Sequence, residues 1–565
     1  MIPINSTYAP VQALVDELAR CGMRHAVTCP GSRNAPLALS LAAHPDLDAI
    51  SVLDERSAAF VALGLAKTSC VPVAITTTSG TAAANLLPAV VEAHEAGVPL
   101  IVMTADRPPE LRDVGAGQAI DQIKLYGDFA KWFCEIGNHP PGRASAIHHR
   151  QLGCRAFTTA AGGRPGPVHL NFPLREPLAP SPEDGLRSED WQGRPDGAAW
   201  TEVHRDHPVG SEQMADDFAA LLRSSGDGVV VAGENTDIAA ELFAKRLNWP
   251  LFAEPTSGLR FGLDDDSVAI AHYDLLLRSQ AFAERMRPDL VVRVGEIPTS
   301  KPLRAWLEGC RQAIIDPHAR WHDPTRRADS LWIARPDVLL LDGAQRTEPR
   351  PDTAWLDAWR EADTTVLPAL EDAEEPFEPK AYNVLAELAE TIWVSSSMPI
   401  RDVESYFPRT REPVRILANR GANGIDGVVS SATGAAIATG KPAHLIIGEL
   451  ALLHDLGGLV TARRAGAELA ILCVNNEGGG IFDFLPVAEH AEADPYEEHI
   501  ATPVDFDIAE AAALGGLDHH VATTAGEVRA KLRPGALVEF RISRADSLRR
   551  HRELAARVAA QLDDL

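Results

Sequence analysis

The chain has 565 residues, of which 45% are apolar, and a formal charge of −26. That length predicts three to four domains of roughly 150 residues each, and the apolar share excludes a disordered or fibrous chain. The acidic surplus argues against a nucleic-acid partner, whose phosphates need a basic footprint, and obliges any anionic ligand to meet a local arginine cluster.

Residues 1–180 alternate helix and strand. Val11, Leu14, Val15 and Leu18 fall at helical spacing, after Ser6 or Thr7 and before Gly22. Apolar runs near 25–29, 50–53, 71–77, 98–104 and 167–172 are each followed by turn or helix-start residues. This alternation predicts a parallel sheet covered on both faces. The stretch 181–215 loses the apolar rhythm, gains Pro, Gly and Asp, and is expected as a linker. A second α/β block over 216–345 offers VVVAG, LVVRVG and AIIDP as buried strands. A second linker is expected over 346–380, with EDAEEPFEP near its end. The third block, 381–565, holds IWVSSS, RILANR, AHLIIG, LAILCVN and ALVEFRI. The expected fold class is α/β, with three doubly wound parallel-sheet domains.

No run of about 18 uncharged apolar residues occurs, so no membrane span is expected. The N-terminal stretch lacks a basic segment followed by an apolar one, so no secretory signal is expected. The seven cysteines stand at 21, 29, 70, 134, 154, 310 and 473 without a CxxC pair. That scatter suggests neither a disulfide framework nor a thiolate metal site, and points to a reducing cytoplasmic setting.

Open parallel sheets bind ligands at the carboxyl ends of their strands. Arg33 in CPGSRN and Arg107 in TADRPPE both fall at such ends, and residues 76–107 have the strand, glycine-turn, helix layout of a generic anion site. Gly448-Glu449-Leu450 ends one apolar run and Asn475-Asn476 ends the next. A carboxylate at 449 and a carboxamide at 476 supply hard oxygens, which suit Mg²⁺ better than zinc or copper. Glycines at 448 and 478–480 let the backbone approach a phosphate. Asp54-Glu55-Arg56, taken alone, is a helix start where acids favour the dipole.

The Gly-Glu element with NNxGGGIFxFLP resembles the cofactor signature of thiamine-diphosphate enzymes, which normally opens Gly-Asp. The strings CPGSRNAPLALSL, DERSAAFVALGLAK, TSGTAAANLLPAVVEA, TADRPPELRDVGAGQAIDQ, NRGANGIDGVVSSATG and NNEGGGIFDFLP together resemble one family across all three blocks. It is the menaquinone-pathway synthase family that makes 2-succinyl-5-enolpyruvyl-6-hydroxy-3-cyclohexene-1-carboxylate. The resemblance implies a pyrimidine-binding domain at 1–180, a central domain at 216–345 and a diphosphate-binding domain at 381–565. It also implies active sites between subunits of a homodimer or a dimer of dimers, with thiamine diphosphate and Mg²⁺, or Mn²⁺, as cofactors. The implied reaction decarboxylates 2-oxoglutarate and adds the succinyl carbanion to isochorismate. An acetolactate-synthase-like enzyme would handle smaller substrates and need fewer basic residues. A non-catalytic binding protein would have no need of Glu55, Asn476 and the arginine set together.

Carried over residue by residue, the resemblance makes Glu55 the acid that hydrogen-bonds the aminopyrimidine ring, and Gln118 a polar residue near the reacting centre. Ser32, Arg33, Arg107, Lys301, Ser397, Arg401 and Arg420 match substrate-contacting positions, the arginines as bidentate carboxylate forks. Pro302 stands where some members carry arginine, so that clamp is weaker or is supplied by Arg304. Ile425, Ile481, Phe482 and Leu485 match the apolar wall that bends the cofactor, with plain core packing as the alternative. Gly448, Glu449, Leu450, Asn476, Gly478 and Gly479 match the diphosphate site, with Glu449, Asn476 and the Gly478 carbonyl as metal ligands. Glutamate at 449 adds a methylene to the usual arm. Near-octahedral Mg²⁺ at about 2.0–2.1 Å requires a backbone shift or a folded side chain to absorb it.

Overall fold

The computed structural model describes residues 5–183, 186–204, 210–563 and 565. Its short Val- and Ile-rich runs form three sheets of six strands each, and every strand pairing is parallel. The first contains β1 (His25–Thr28), β2 (Asp48–Ser51), β3 (Val73–Thr77), β4 (Leu100–Asp106), β5 (Phe133–Glu135) and β6 (Val168–Pro173), in the order β2-β1-β3-β4-β6-β5. The second contains β7 (Gly228–Ala232), β8 (Leu251–Ala253), β9 (Ala269–Ile270), β10 (Leu290–Val294), β11 (Gln312–Ile315) and β12 (Ala328–Trp332), in the order β12-β11-β10-β7-β8-β9. The third contains β13 (Thr391–Val394), β14 (Arg415–Ala418), β15 (Ala443–Gly448), β16 (Leu469–Asn475), β17 (Asp518–Ala522) and β18 (Ala536–Arg541), in the order β14-β13-β15-β16-β18-β17. The expected α/β class with three parallel sheets is what the chain adopts. Central strands such as β3, β4, β7 and β10 are buried along their whole length, because helices cover both faces.

The first and third sheets share one strand order, while the central sheet has the order of a dinucleotide-type fold. In each sheet the strand order reverses beside the first strand. Loops splay apart there and leave a crevice at the carboxyl edge.

One core unites the first and third sheets: Val27, Ile75 and Val102 join Leu445 and Ile471 in a single buried cluster. The helix Glu55–Ser69 crosses the helix Val428–Thr439 at glycine contacts. A Cβ on Gly64 would lie 2.1 Å from the Ser431 carbonyl oxygen, and one on Gly434 would lie 2.3 Å from that of Val61. The 346–380 stretch, expected as a linker, carries the helices Ala354–Thr364 and Val366–Glu371. Trp359 and Leu370, one from each helix, join Phe252 and Leu554 and Val558 of the last helix, Arg544–Asp563, in one buried cluster. That helix follows the third sheet in sequence but caps the central domain's core.

Candidate active site

The loops after β13, β15 and β16 meet at the reversal point of the third sheet and enclose a cavity of about 140 Å³. Gly448 ends β15, and Glu449 starts the helix Glu449–His454. The Glu449 side chain is buried, and its Oε1 accepts the Gly478 backbone N–H at 2.6 Å. Burial pushes its carboxyl up to about 7, against the opposing pull of that N–H. Asn476 Oδ1 is also buried and has no hydrogen-bond partner. An unpaired buried oxygen beside a buried carboxylate is destabilising unless a cation or donor completes it.

The glycines of the 478–480 turn are sterically required. A Cβ on Gly480 would stand 2.5 Å from Asn476 Nδ2, and Gly478, at φ +133°, would clash with the Ala501 carbonyl. A Cβ on Gly448 would meet no atom within 4 Å, so this side of the cavity is open. The Gly478 carbonyl accepts Gly480 N–H at 2.9 Å, which leaves it a second lone pair. Leu450, Gly479, Ile425, Ile481 and Phe482 are also among the lining residues, whereas Leu485, expected in the apolar wall, is exposed and is not one of them.

Ser397, Ile425, Ile481 and Phe482 also line a larger cleft of about 540 Å³, so the two spaces adjoin. Ser397 holds φ +76°, a strained backbone for a residue with a Cβ, at the start of the helix Met398–Tyr406. Its carbonyl accepts from Arg401. Arg420, Arg401 and Arg304 supply the positive charge of this cleft. Arg420 donates to Thr299 Oγ1 at 3.0 Å, and that hydroxyl donates onward to Glu254 Oε1 at 3.2 Å. Thr256 donates to the other Glu254 oxygen at 2.7 Å. All three domains position the cleft. Glu92 of the first domain accepts the Gly421 and Ala422 N–H groups beside Arg420, and Lys67 spans Glu234 and the Ala418 carbonyl at 2.6 Å each. Lys301 is exposed at the first turn of the helix Lys301–Leu307 and lines neither space; Arg304, one turn later, does.

The remaining expected residues form a second group on the first domain. Arg33 is buried, donates to the Leu174 carbonyl at 2.6 Å, and keeps its Nε without a partner. Burial first, then the like charge of Arg107, lowers its pKa, so an anion beside it would favour its charged form. Arg107 forks onto the Gly117 carbonyl at 3.2 and 3.0 Å. Gln118, at φ +58°, clasps Ser79 by side-chain and backbone hydrogen bonds of 3.1 and 2.8 Å. Ser32 is exposed in the loop after β1. Glu55 follows β2 as the first residue of its helix, capped by Asp54. Within one chain none of these five lines either space described above.

Glu234, Glu254, Glu296, Thr299 and Glu378 were not foreseen. The first three follow the runs VVVAG, LFA and VVRVG, so an acid directly after a buried strand was the overlooked signal. Glu378 lines the smaller cavity with its Oε2 unpartnered, and its sequence context, an acidic Pro-rich stretch, gave no sign of burial.

Residues 10–125 match the family described as thiamine pyrophosphate enzyme, N-terminal TPP binding domain, and residues 401–537 match its C-terminal TPP binding domain counterpart. The chain is 42% identical to the 2-succinyl-5-enolpyruvyl-6-hydroxy-3-cyclohexene-1-carboxylate synthase of Geobacillus kaustophilus, over 99% of this chain and 98% of that one. It is 41% identical to the same-named protein of Myxococcus xanthus, over 98% and 97% of the two chains. Among solved structures, benzoylformate decarboxylase from Polynucleobacter necessarius superposes with a TM-score of 0.69 at 17% identity, covering 94% of this chain and 98% of that chain, a likeness of fold.

Proposed function

Because the chain belongs to the 2-succinyl-5-enolpyruvyl-6-hydroxy-3-cyclohexene-1-carboxylate synthase family of thiamine-diphosphate enzymes, we propose that it decarboxylates 2-oxoglutarate and joins the remaining succinyl unit to isochorismate. The observation that carries this reading is the adjoining of two unlike spaces: a small cavity walled by glycine backbone opens onto a larger cleft with three arginines. The first suits a diphosphate, and the second suits substrates with several carboxylates.

Glu449 and Asn476 would hold a divalent cation, Mg²⁺ or Mn²⁺, with the Gly478 carbonyl alongside. The unpartnered Asn476 Oδ1 and the buried Glu449 carboxylate are a hard-oxygen pair that suits such a cation. Thiamine diphosphate, when bound, supplies the carbon nucleophile. The chain's own residues bind, orient and dry the site. Arg401 and Arg420 hold carboxylates by their forks, and the Thr299–Glu254 relay keeps Arg420 in one orientation. Ile425, Ile481 and Phe482 keep water from the junction of the two spaces. Glu55 holds and passes a proton at its carboxyl oxygen, and Gln118 offers a polar contact at the same edge.

Since the first-domain group lies apart from both spaces within one chain, we assign the complete site to two copies, one contributing Ser32, Arg33, Glu55, Arg107 and Gln118 and the other the cation and arginine residues. The reading therefore includes a homodimer or a dimer of dimers. No described helix is long and apolar enough to cross a membrane, and the proposed setting is the cytoplasm.

The test is incubation with thiamine diphosphate, Mg²⁺, 2-oxoglutarate and isochorismate, following isochorismate loss and product mass. Turnover that needs all four supports the reading. Isochorismate left intact while another 2-oxoacid is consumed would move the chain to a different carboligase activity.

A further inference from the structure

Cys21 and Cys154 are 133 residues apart in the chain, yet their sulfurs lie 3.8 Å from each other. Cys21 caps the end of the helix Tyr8–Arg20, and Cys154 lies within the helix Arg143–Ala161, which packs along it. Glu17, one turn before Cys21, points its carboxylate at the same spot: Cys154 Sγ is 3.3 Å from Glu17 Oε1. Among the described residues this is the one group of three such ligand atoms lying within 4.8 Å of one another.

We propose that Glu17, Cys21 and Cys154 form a binding site for a soft divalent cation of the zinc type, sharing no residue with the arginine cleft and independent of the activity proposed above.

The geometry fits tetrahedral coordination. Zn–S bonds of about 2.3 Å and Zn–O bonds of about 2.0 Å at the tetrahedral angle separate two sulfurs by about 3.8 Å, and a sulfur from an oxygen by about 3.5 Å. The observed separations are 3.8 and 3.3 Å.

The surroundings are those of a held ligand set. Glu17 is wholly buried, and Arg150 fixes its other oxygen at 2.8 Å while also gripping Asp16 at 2.6 Å. The Trp200 N–H donates to Glu17 Oε1, and the Thr201 N–H donates to Cys154 Sγ at 3.4 Å. Outer contacts of this kind orient ligands and favour the anionic form of sulfur. Cys154 is buried, whereas Cys21 is only half-buried, so solvent reaches the site from the Cys21 side and a water can take the fourth position. Binding releases the two thiol protons, leaves Glu17 anionic and changes no oxidation state. The bound cation ties the two helices together. A two-thiolate set selects zinc, cadmium or cobalt over the magnesium that suits Glu449 and Asn476.

The test uses the full chain, kept reduced and stripped of metal by a chelator, and titrated with Co²⁺ and then Zn²⁺. The expected result is a thiolate-to-cobalt absorption band that saturates at equimolar cobalt and is displaced by zinc. It should be lost in Cys154→Ser and in Cys21→Ala, and weakened more than about tenfold in affinity in Glu17→Gln. Cys21→Ala sits at a half-exposed helix end, so its circular dichroism and melting should match the parent even where Glu17→Gln, which weakens one of the two carboxylate contacts of buried Arg150, unfolds. Zinc should also slow the reaction of two thiols with a colorimetric disulfide reagent. No cobalt band in the parent, or a band that survives in Cys21→Ala, overturns the site. Full affinity in a folded Glu17→Gln overturns the three-ligand assignment.

Discussion

Replacing Glu449 by glutamine separates the charge of this side chain from its shape. The amide keeps an oxygen for the Gly478 N–H, which the carboxylate accepts at 2.6 Å. Burial has raised the carboxyl from 4.5 to about 7; at about 1.4 kcal/mol per pH unit, holding it ionised in the metal-free chain costs about 3 kcal/mol. For an acid raised on folding, the penalty is absent below 4.5, grows between 4.5 and 7, and is complete above 7. Glu449→Gln should therefore leave the metal-free protein equally stable at acid pH, and more stable than the parent by up to about 3 kcal/mol above pH 7.

With Mg²⁺ and thiamine diphosphate the order should reverse, because only the parent has an anion to bridge the cation to the protein. Calorimetric melting across this pH range, with and without both ligands, measures the two arms. Cofactor titration at several Mg²⁺ concentrations adds a third. A metal-free variant no more stable than the parent above pH 7 would refute the burial argument. Cofactor affinity in the variant that climbs with Mg²⁺ as steeply as in the parent would remove Glu449 from the metal site.

Burial alone would lower His551, but the Asp402 carboxylate 3.0 Å away overrides it and raises the imidazole to about 9. Its contribution is thus full below 6.5 and lost as pH rises to about 9. The parent's melting temperature should fall across that window, and His551→Gln should flatten the fall. Glu55→Gln should fold and bind cofactor but turn over at least ~10²-fold more slowly, the scale of a general acid–base group, with slowed proton exchange at the thiazolium carbon read by NMR. Thr299→Val cuts the link between Arg420 and Glu254. Steady-state kinetics should show substrate KM raised roughly tenfold, the scale of one hydrogen bond to a charged group, with kcat changed less. Gly434→Ala drives a methyl to 2.3 Å from the Val61 carbonyl. Denaturant unfolding should show a loss of about 1–3 kcal/mol, and an unchanged midpoint would mean that the two helices separate easily.

Much of the fold was legible because its signals are local. A strand buried on both faces must be a continuous apolar run, so VVVAG, AHLIIG and LAILCVN announced parallel sheets without any knowledge of their partners. A residue just after such a run stands at the carboxyl edge wherever the sheet ends up, which placed Arg33, Arg107 and Asn476 in loops and Glu449 at a helix start beyond strand ends in advance.

Contacts between distant segments carry no such periodic signal. The spacing of the cysteines suggested no thiolate cluster, yet the packing of two helices brings Cys21 and Cys154 to 3.8 Å. Lys301 and Arg304 lie on one short helix, and only its docking decides that Arg304 faces the cleft. The Thr299–Glu254 support for Arg420 joins two domains, and the glycine crossing that unites the first and third sheets needs both helices in place before either Gly64 or Gly434 acquires its meaning. Period and strand end are properties of a few consecutive residues. Which faces meet depends on strand order, helix crossing and close packing of the whole chain, and those were settled only in three dimensions.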